Sequence, residues 1–170
     1  PKHTKDSCYQ KITPKSANWD FVGFEAHDLD EMETLDWKDQ ENESCLVILS
    51  GLANIIVDNE EFLNIGERMS VFDDLNPHAI YVPNNKQIKV TALTKLELAI
   101  AVAPGFGNFP ARHIKPDDMD SEVRGEGSNT RFICNILPEK ERLTVFLLLR
   151  SKPLQEIGQA IHLTNMIQIT

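Results

Sequence analysis

Short apolar runs separated by turn residues dominate the chain between residues 45 and 102. The runs are strand-sized and most are separated by turn residues such as Gly, Pro, Asn and Asp: Cys45–Leu49, Ala53–Val57, Phe62–Ile65, Met69–Phe72, Ala79–Val82, Gln87–Leu93 and Leu96–Val102. Within residues 88–93 apolar side chains recur at about every second position, which is typical of a strand with one buried face. Short strands at nearly regular spacing predict an all-β sandwich or barrel, and we interpret the pattern as an antiparallel jelly-roll.

The same pattern divides the 170 residues into four segments. Residues 1–16 are polar and predict a flexible N-terminal tail, whereas residues 17–110 hold the strand series and predict the β-barrel. Residues 111–143 predict a connector and a closing strand, and residues 144–170 form a tail of a different character. Within the barrel, the acidic stretch Asp30–Glu43 has no helical period and predicts a loop or an edge strand.

Charge and cysteine content exclude several function classes. Acidic residues outnumber basic ones, 26 against 17, and no cluster of Lys and Arg interrupts that balance, which argues against a nucleic-acid partner or an anionic membrane surface. The N-terminus lacks the apolar core of a signal peptide, and no run is long enough to span a bilayer. Three widely spaced cysteines, Cys8, Cys45 and Cys134, indicate reduced thiols in a cytoplasmic protein.

Histidine spacing gives no support for a metal site in this barrel. No two of the five histidines are separated as in H-x-H or H-x₃₋₅-H, so we predict neither a bound metal nor a catalytic residue in this chain. His78 is the best single candidate for a pocket group, but for both His78 and His27 the favoured interpretation is a half-exposed turn or strand-end position. Arg68 either points into the barrel or makes an exposed ion pair with Glu67 or Asp73. Cys45 and Cys134 lie in apolar runs and predict inert core thiols.

A glycine-bearing turn followed by a short apolar strand is the candidate binding segment, and it reads R-G-E-G-S-N-T-R-F-I-C-N-I-L-P-E from residue 124 to residue 139. Arg124 and Arg131 are planar donors suited to a carboxylate, and Asn129 adds a neutral hydrogen-bonding group. These three residues are our candidates for contacting a small polyhydroxylated acid. The alternative is an ordinary turn with solvated arginines that brace an interface.

Four motifs occur in the order and spacing of one family: N-W-D-F-V-G from residue 18, G-E-R-M-S-V-F from residue 66, I-Y-V-P from residue 80, and the segment 124–139. Over residues 17–139 the chain resembles the 5-deoxy-glucuronate isomerases of myo-inositol catabolism, which are relatives of the 4-deoxy-uronate ketol isomerases. The resemblance implies a bicupin whose cupin-like first barrel is metal-free. It also implies the aldose–ketose isomerisation of 5-deoxy-glucuronate, a small uronic acid, to 5-dehydro-2-deoxy-gluconate.

The resemblance further implies a divalent, zinc-like metal in the second barrel, held by an H-x-H-D motif, a glutamate and a later histidine. This chain departs from the family after Glu141. If the codons of Leu149 to Asn165 are read in the adjacent frame, they can encode E-V-K-T-P-S-G-N-W-S-S-Y-P-P-H-K, which is the entrance to that metal motif. We therefore expect residues 144–170 to be an out-of-frame tail and this chain to be inactive alone.

Three interpretations follow from the sequence. The chain is the first half of an isomerase, or a metal-free, non-enzymatic binding or assembly module, or an inert truncated product. A homo-oligomeric state is left open by the sequence.

Overall fold

The computed structural model describes residues 7–107, 109–126 and 131–136, and for Arg131 and Phe132 it describes the backbone only. Strands account for most of this part of the chain: β1 Cys8–Ile12, β2 Gly23–Leu29, β3 Thr34–Asp39, β4 Asn42–Ser50, β5 Ala53–Val57, β6 Glu60–Ile65, β7 His78–Val82, β8 Lys86–Ala92, β9 Leu96–Pro104, β10 Arg112–Ile114, β11 Asp120–Arg124 and β12 Arg131–Asn135. The helical elements there are the short helix Pro14–Ala17 and a 3₁₀ turn, Pro116–Asp118. Neither has the length or apolar composition needed to cross a lipid bilayer.

Two antiparallel sheets form the barrel. The larger sheet has the order β1-β2-β9-β4-β7-β10 and the smaller one the order β3-β8-β5-β6, while β11 and β12 form a separate hairpin. From β2 to β9 the chain alternates between the two sheets in the manner of a jelly-roll, except at β5 and β6, which form a hairpin within the smaller sheet. The all-β, cupin-like jelly-roll predicted from the sequence is therefore confirmed.

Alternation along the strands separates two apolar layers. Leu46 and Ile48 on β4 point between the sheets, where they pack with residues such as Ile55, Ile88 and Leu98. The intervening Val47 points to the outer face of the larger sheet. Because successive side chains on a strand face opposite sides, one strand contributes to both layers.

The outer layer positions the β11–β12 hairpin. Val47 and Tyr81 lie on the outer face of the larger sheet, and Met119 and Ile136, which flank the hairpin strands, pack in the same cluster. Both flanking side chains are buried. The apolar residues at the open end of the hairpin therefore hold it against the barrel.

Part of the predicted N-terminal tail is a strand. Residues 8–12 pair antiparallel with β2, and Thr13 caps the helix that follows, with its hydroxyl accepting from the backbone N–H of Ser16 at 3.1 Å. The prediction of a flexible tail over residues 1–16 is thus corrected for residues 8–16; residues 1–6 lie outside the described part of the chain. The physical reason is that β2 would otherwise expose unpaired backbone groups at a sheet edge.

Two other segments test the strand predictions. Residues 34–39 within the acidic stretch form β3, an edge strand of the smaller sheet, as one of the two alternatives predicted. The apolar run Met69–Phe72 is not a strand, because the Asp73 carboxylate accepts from the N–H groups of Met69 and Ser70 at 2.8 and 3.0 Å and holds a turn. Phe72 is consequently 80 % exposed.

Candidate functional site at the hairpin and the sheet edges

A cavity of about 740 Å³ lies between the turn segment 68–77 and the β11–β12 hairpin. Its walls include Arg68, Asn76, Ser121, Val123 and Ile133. Asn76 links the two sides, since its amide nitrogen donates to the carbonyl of Pro116 at 3.4 Å and to the hydroxyl of Ser121 at 3.3 Å. The cavity combines apolar walls with a few polar groups, as small-molecule sites usually do.

Arg68 supplies a buried cation to this cavity. Its Nε donates to the carbonyl of Leu49 at 2.7 Å and its Nη1 to the carbonyl of Leu75 at 3.2 Å, while the residue is 7 % exposed. Within the described residues no carboxylate forms an ion pair with it, so neither the exposed pair with Glu67 nor that with Asp73 is formed. Burial lowers the pKa of Arg68, although an arginine stays protonated in proteins. The guanidinium is therefore a fixed positive charge at the cavity wall.

The candidate residues from the sequence lie at one end of the hairpin. Arg124 and Arg131 are opposite each other in the β11–β12 register, at the start of the connecting turn. The Arg124 side chain is 66 % exposed and its Nη2 lies 2.7 Å from Oε1 of Glu122. Asn129 and the side chain of Arg131 lie outside the described residues. Arg124 is therefore a solvent-exposed ion-pair member and does not line the cavity.

Two histidines come together on the inner face at one side of the larger sheet. His113 on β10 lies opposite Ile80 on β7, and His78 begins β7, so both rings are on the face that Ile80 turns to the barrel core. Nδ1 of His78 and Nε2 of His113 are 2.8 Å apart, and the rings stack with centroids 5.0 Å apart. We call His78, His113 and the adjacent Glu67 the β7–β10 edge.

Protonation of this pair is unfavourable. Burial lowers the pKa of both imidazoles, and His78 lowers that of His113 further by charge repulsion. The nearest carboxylate oxygen, Oε2 of Glu67, is 3.7 Å from Nε2 of His78 and belongs to a side chain that is 59 % exposed. One neutral ring therefore donates to the other, and the pair is ready to accept a proton only at acidic pH.

At the opposite side of the larger sheet, β1 and β2 bring together Cys8, Lys11, Glu25 and His27, which we call the β1–β2 edge. The ammonium of Lys11 pairs with Oε1 of Glu25, and Nε2 of His27 is 3.2 Å from Oε2 of the same carboxylate. Trp37 on β3 donates its Nε1 to that oxygen at 3.3 Å. The hydrogen bond with His27, together with the Lys11 charge, lowers the pKa of Glu25 to about 2.

A third polar cluster lies on the outer face of the larger sheet. Glu43 is fully buried, and the hydroxyl of Tyr81 donates to its Oε2 at 2.9 Å. The guanidinium carbon of Arg112 lies 5.0 Å from the centre of the Tyr81 ring. Cys45, next to this group, is also buried, and desolvation raises its pKa to about 12, as predicted for a core thiol.

A divalent metal for isomerase chemistry does not fit the centre of the barrel, between the two sheet edges. The space there is filled by aliphatic side chains such as Leu46, Ile80 and Leu98, each with no exposed surface or almost none. A metal ion needs oxygen, nitrogen or sulfur ligands around it, and these side chains offer none. No step of a metal-assisted reaction is therefore assigned to the interior of this barrel.

Comparison with known proteins identifies the family. Residues 1–152 match the model of the KduI/IolB family. The chain belongs to this family. The match to the family model extends beyond residue 144, where the predicted out-of-frame tail begins, so the match gives no boundary at that position. Residues 144–170 lie outside the described part of the chain, and the frame prediction remains a prediction. The resemblance to the 5-deoxy-glucuronate isomerases is confirmed.

Relatives within the family are close in sequence. The chain is 47 % identical over 131 residues to the 5-deoxy-glucuronate isomerase of Geobacillus thermodenitrificans, covering 77 % of this chain and 48 % of that protein. It is 43 % identical over 143 residues to the enzyme of the same name from Geobacillus kaustophilus, covering 83 % of this chain and 52 % of that one. The chain thus spans about half the length of the curated relatives it matches.

A solved structure agrees with the fold. The chain superposes on an IolB-like protein from Salmonella typhimurium LT2 with a TM-score of 0.78 at 39 % identity, covering 84 % of this chain and 54 % of that one. The similarity confirms the architecture of a family member.

The proximity of several of these residues could not be predicted from the sequence. His113 and Cys8 showed no ligand-like spacing because their partners, His78 and His27, lie 35 and 19 residues away and meet them only through strand pairing. Arg112 falls in the segment 111–143 that the sequence predicts to be a connector and closing strand, although it lies on the edge strand β10 beside Tyr81. A correct register for β1 and β10 would have revealed all three.

Proposed function

We propose that this chain provides the first half of a 5-deoxy-glucuronate isomerase. The observation that carries the proposal is the 47 % identity, over 131 residues, with a relative of that name. The reaction moves a proton between adjacent carbons and turns an aldose into a ketose, so it needs a base and an electrophile beside the sugar. The cytoplasmic location, the uronic-acid substrate and the option of a homo-oligomer remain predictions for the whole protein.

The apolar interior of the barrel supports the proposal that the two halves of the isomerase have different roles. Because aliphatic side chains fill the centre of the barrel, we assign the reacting groups and the divalent, zinc-like metal of the isomerase to residues beyond this barrel. This half then supplies the folded support and an outer face for its neighbour. We accordingly expect no turnover from this chain alone.

The test is a chimera in which residues 1–136 of this chain are joined to the second half of the Geobacillus thermodenitrificans relative. We expect isomerisation of 5-deoxy-glucuronate by the chimera and none by this chain alone or by the relative's second half alone. A folded chimera without activity would contradict the assignment. Turnover by this chain alone would contradict the division of labour.

Arg124, Asn129 and Arg131 are proposed to act at the hairpin end, either on the substrate acid or by bracing the neighbouring half. Replacing Arg131 by alanine in the chimera distinguishes these roles. A raised KM with an unchanged melting temperature indicates contact with the substrate, whereas a lowered melting temperature with an unchanged KM indicates bracing. Lys89→Ala, which removes an exposed basic residue of β8, is the control, and we expect it to leave KM and the melting temperature unchanged.

A second function, binding without chemistry, is favoured by the cavity beside Arg68. A fixed guanidinium at an apolar wall attracts a carboxylate. We expect calorimetry with glucuronate to show binding and with glucose to show none. Val123 lines the cavity and is 60 % exposed, so Val123→Glu should weaken glucuronate binding by charge repulsion while Val123→Gln should not. Equal affinity for both sugars would exclude this role.

A further inference from the structure

Cys8, Glu25 and His27 present three metal-binding atoms at one point. The β1–β2 register puts Cys8 directly opposite His27, and Glu25 lies two residues before His27, so the three side chains share one face of the sheet. A bulge between Cys8 and Gln10 shifts the register so that Lys11 lies opposite Glu25. The Cys8 sulfur, a Glu25 carboxylate oxygen and a His27 ring nitrogen are all within 4.8 Å of one another.

The geometry suits a small tetrahedral ion. Nε2 of His27 and Oε2 of Glu25 are 3.2 Å apart, which is about the separation of two ligands on a tetrahedral Zn²⁺ with bonds of roughly 2.0 Å. A thiolate, an imidazole and a carboxylate together favour Zn²⁺ or a similar transition ion over Mg²⁺ and Ca²⁺, which prefer oxygen ligands. Three protein ligands leave one tetrahedral position for water or another small ligand.

The surroundings already orient two of the ligands. Nδ1 of His27 is 3.2 Å from the hydroxyl of Ser7, which leaves Nε2 facing Glu25. Such a hydrogen bond on the second ring nitrogen is the usual support of a metal-binding histidine. His27 is 3 % exposed, so its ring has little freedom to turn away. Trp37 holds Oε2 of Glu25 from the opposite sheet.

Two adjustments accompany binding. The ammonium of Lys11 pairs with Glu25, but its side chain is 60 % exposed and can turn into solvent. The Cys8 thiol, whose sulfur is 3.3 Å from the carbonyl oxygen of Gln10, must lose its proton, as every thiol does when it binds a metal. Binding therefore releases a proton and replaces one cation beside Glu25 by another.

We propose that Cys8, Glu25 and His27 bind one zinc-like divalent cation that joins β1 to β2 at the edge of the larger sheet. This site is separate from the isomerase chemistry proposed above and does not depend on it. Its effect is on the N-terminal strand, since it cross-links the edge strand β1 to its only partner in the described sheet. It also departs from the sequence prediction that this chain binds no metal.

The experiment is titration of the full chain with Co²⁺, which reports a coordinated thiolate by a charge-transfer band in the near ultraviolet. We expect one equivalent of Co²⁺ to produce the band, Zn²⁺ to displace it, and Cys8→Ser to abolish it. Cys134→Ser is the matched control, because Cys134 lies on the hairpin and is only partly buried, as Cys8 is. It should keep the band.

Two further measurements separate ligation from folding. His27→Gln should weaken Co²⁺ binding by about tenfold or more, in line with the effects of losing metal-site groups, and thermal unfolding in EDTA will show whether each variant is folded. Zn²⁺ should raise the melting temperature of the wild-type chain and leave that of Cys8→Ser unchanged. The proposal is overturned if the wild-type chain gives no band, or if folded Cys8→Ser keeps it.

Discussion

The β1–β2 edge and the β7–β10 edge lie at the two sides of one sheet, yet the first stabilises a charged group and the second stabilises neutral groups. At the β1–β2 edge, Lys11 and His27 surround Glu25 and hold it ionised, with its pKa lowered to about 2. At the β7–β10 edge, burial favours the neutral forms of His78 and His113. A position at a sheet edge therefore does not by itself favour charged or uncharged groups. The neighbouring side chains determine which form is stabilised.

The two edges also differ in how their cations are held. Lys11 is an exposed ammonium paired with the Glu25 carboxylate, whereas Arg68, near the β7–β10 edge, is buried and donates to two backbone carbonyls. Exposed pairs contribute little to stability because water and salt screen them. Buried donors contribute more because their partners would otherwise lose all hydrogen bonds. Three predictions test this comparison.

Gly66→Ala should produce the largest effect, because Gly66 begins the segment that carries Glu67 and Arg68. Its φ is +120°, and a Cβ there would lie 2.2 Å from the backbone oxygen of Gly51. We expect the free energy of unfolding to fall by about 4 kcal/mol or more, through strain and displaced backbone. Chemical denaturation monitored by tryptophan fluorescence measures this loss.

Gly107→Ala is the matched control for that prediction. Gly107 also has a positive φ, +69°, but its Cβ would meet the amide oxygen of Asn84, at the end of a side chain that can move. The loss should therefore be clearly smaller than for Gly66→Ala. Equal losses would show that backbone strain alone, and not the contact with Gly51, determines stability here.

Arg68→Met should have the second largest effect. It removes the donors to the carbonyls of Leu49 and Leu75 and leaves both oxygens in a partly buried site. We expect a loss of about 2–3 kcal/mol, the cost of charged hydrogen bonds and unsatisfied acceptors. Lys11→Met at the other edge is the comparison, and its loss should be below about 1 kcal/mol. Similar losses for both variants would remove the proposed difference between the edges.

Acid pH should produce the smallest effect, through the histidine pair. Because burial lowers the folded-state pKa of His78 and His113 below 6.5, the unfolded chain binds more protons than the folded chain as pH falls through that value. The free energy of unfolding should therefore decline as the pH falls through about 6.5, the unfolded-state value, towards the lowered folded-state pKa. The charged groups that face the pair are Glu67, Lys115 and Asp118.

The control for the pH prediction is the double variant that carries His78→Asn and His113→Asn. Denaturation curves at several pH values should give it a flatter pH dependence than the wild-type chain. His27 is present in both proteins, so it does not account for a difference between their pH dependences. An unchanged slope would mean that the pair does not titrate as its burial requires.

Local patterns were sufficient for most of the fold. The runs at residues 45–49, 53–57 and 79–82 each lie in a strand of the jelly-roll, because alternation and turn residues are properties of neighbouring positions. The strand prediction from local patterns was wrong for residues 69–72, because the Asp73 carboxylate binds backbone N–H groups there and holds a turn. Local patterns also failed at β1, whose order depends on pairing with β2.

The sequence by itself determined the fold class, the family and the apolar filling of the barrel, since hydrophobic period and motif order are carried by residues close together along the chain. Tertiary structure alone decided which ionisable groups meet. The contacts of His78 with His113 and of Cys8 with His27 depend on strand register between distant segments. A shift of register by one residue turns every side chain to the other face, and local composition does not specify that register for short edge strands.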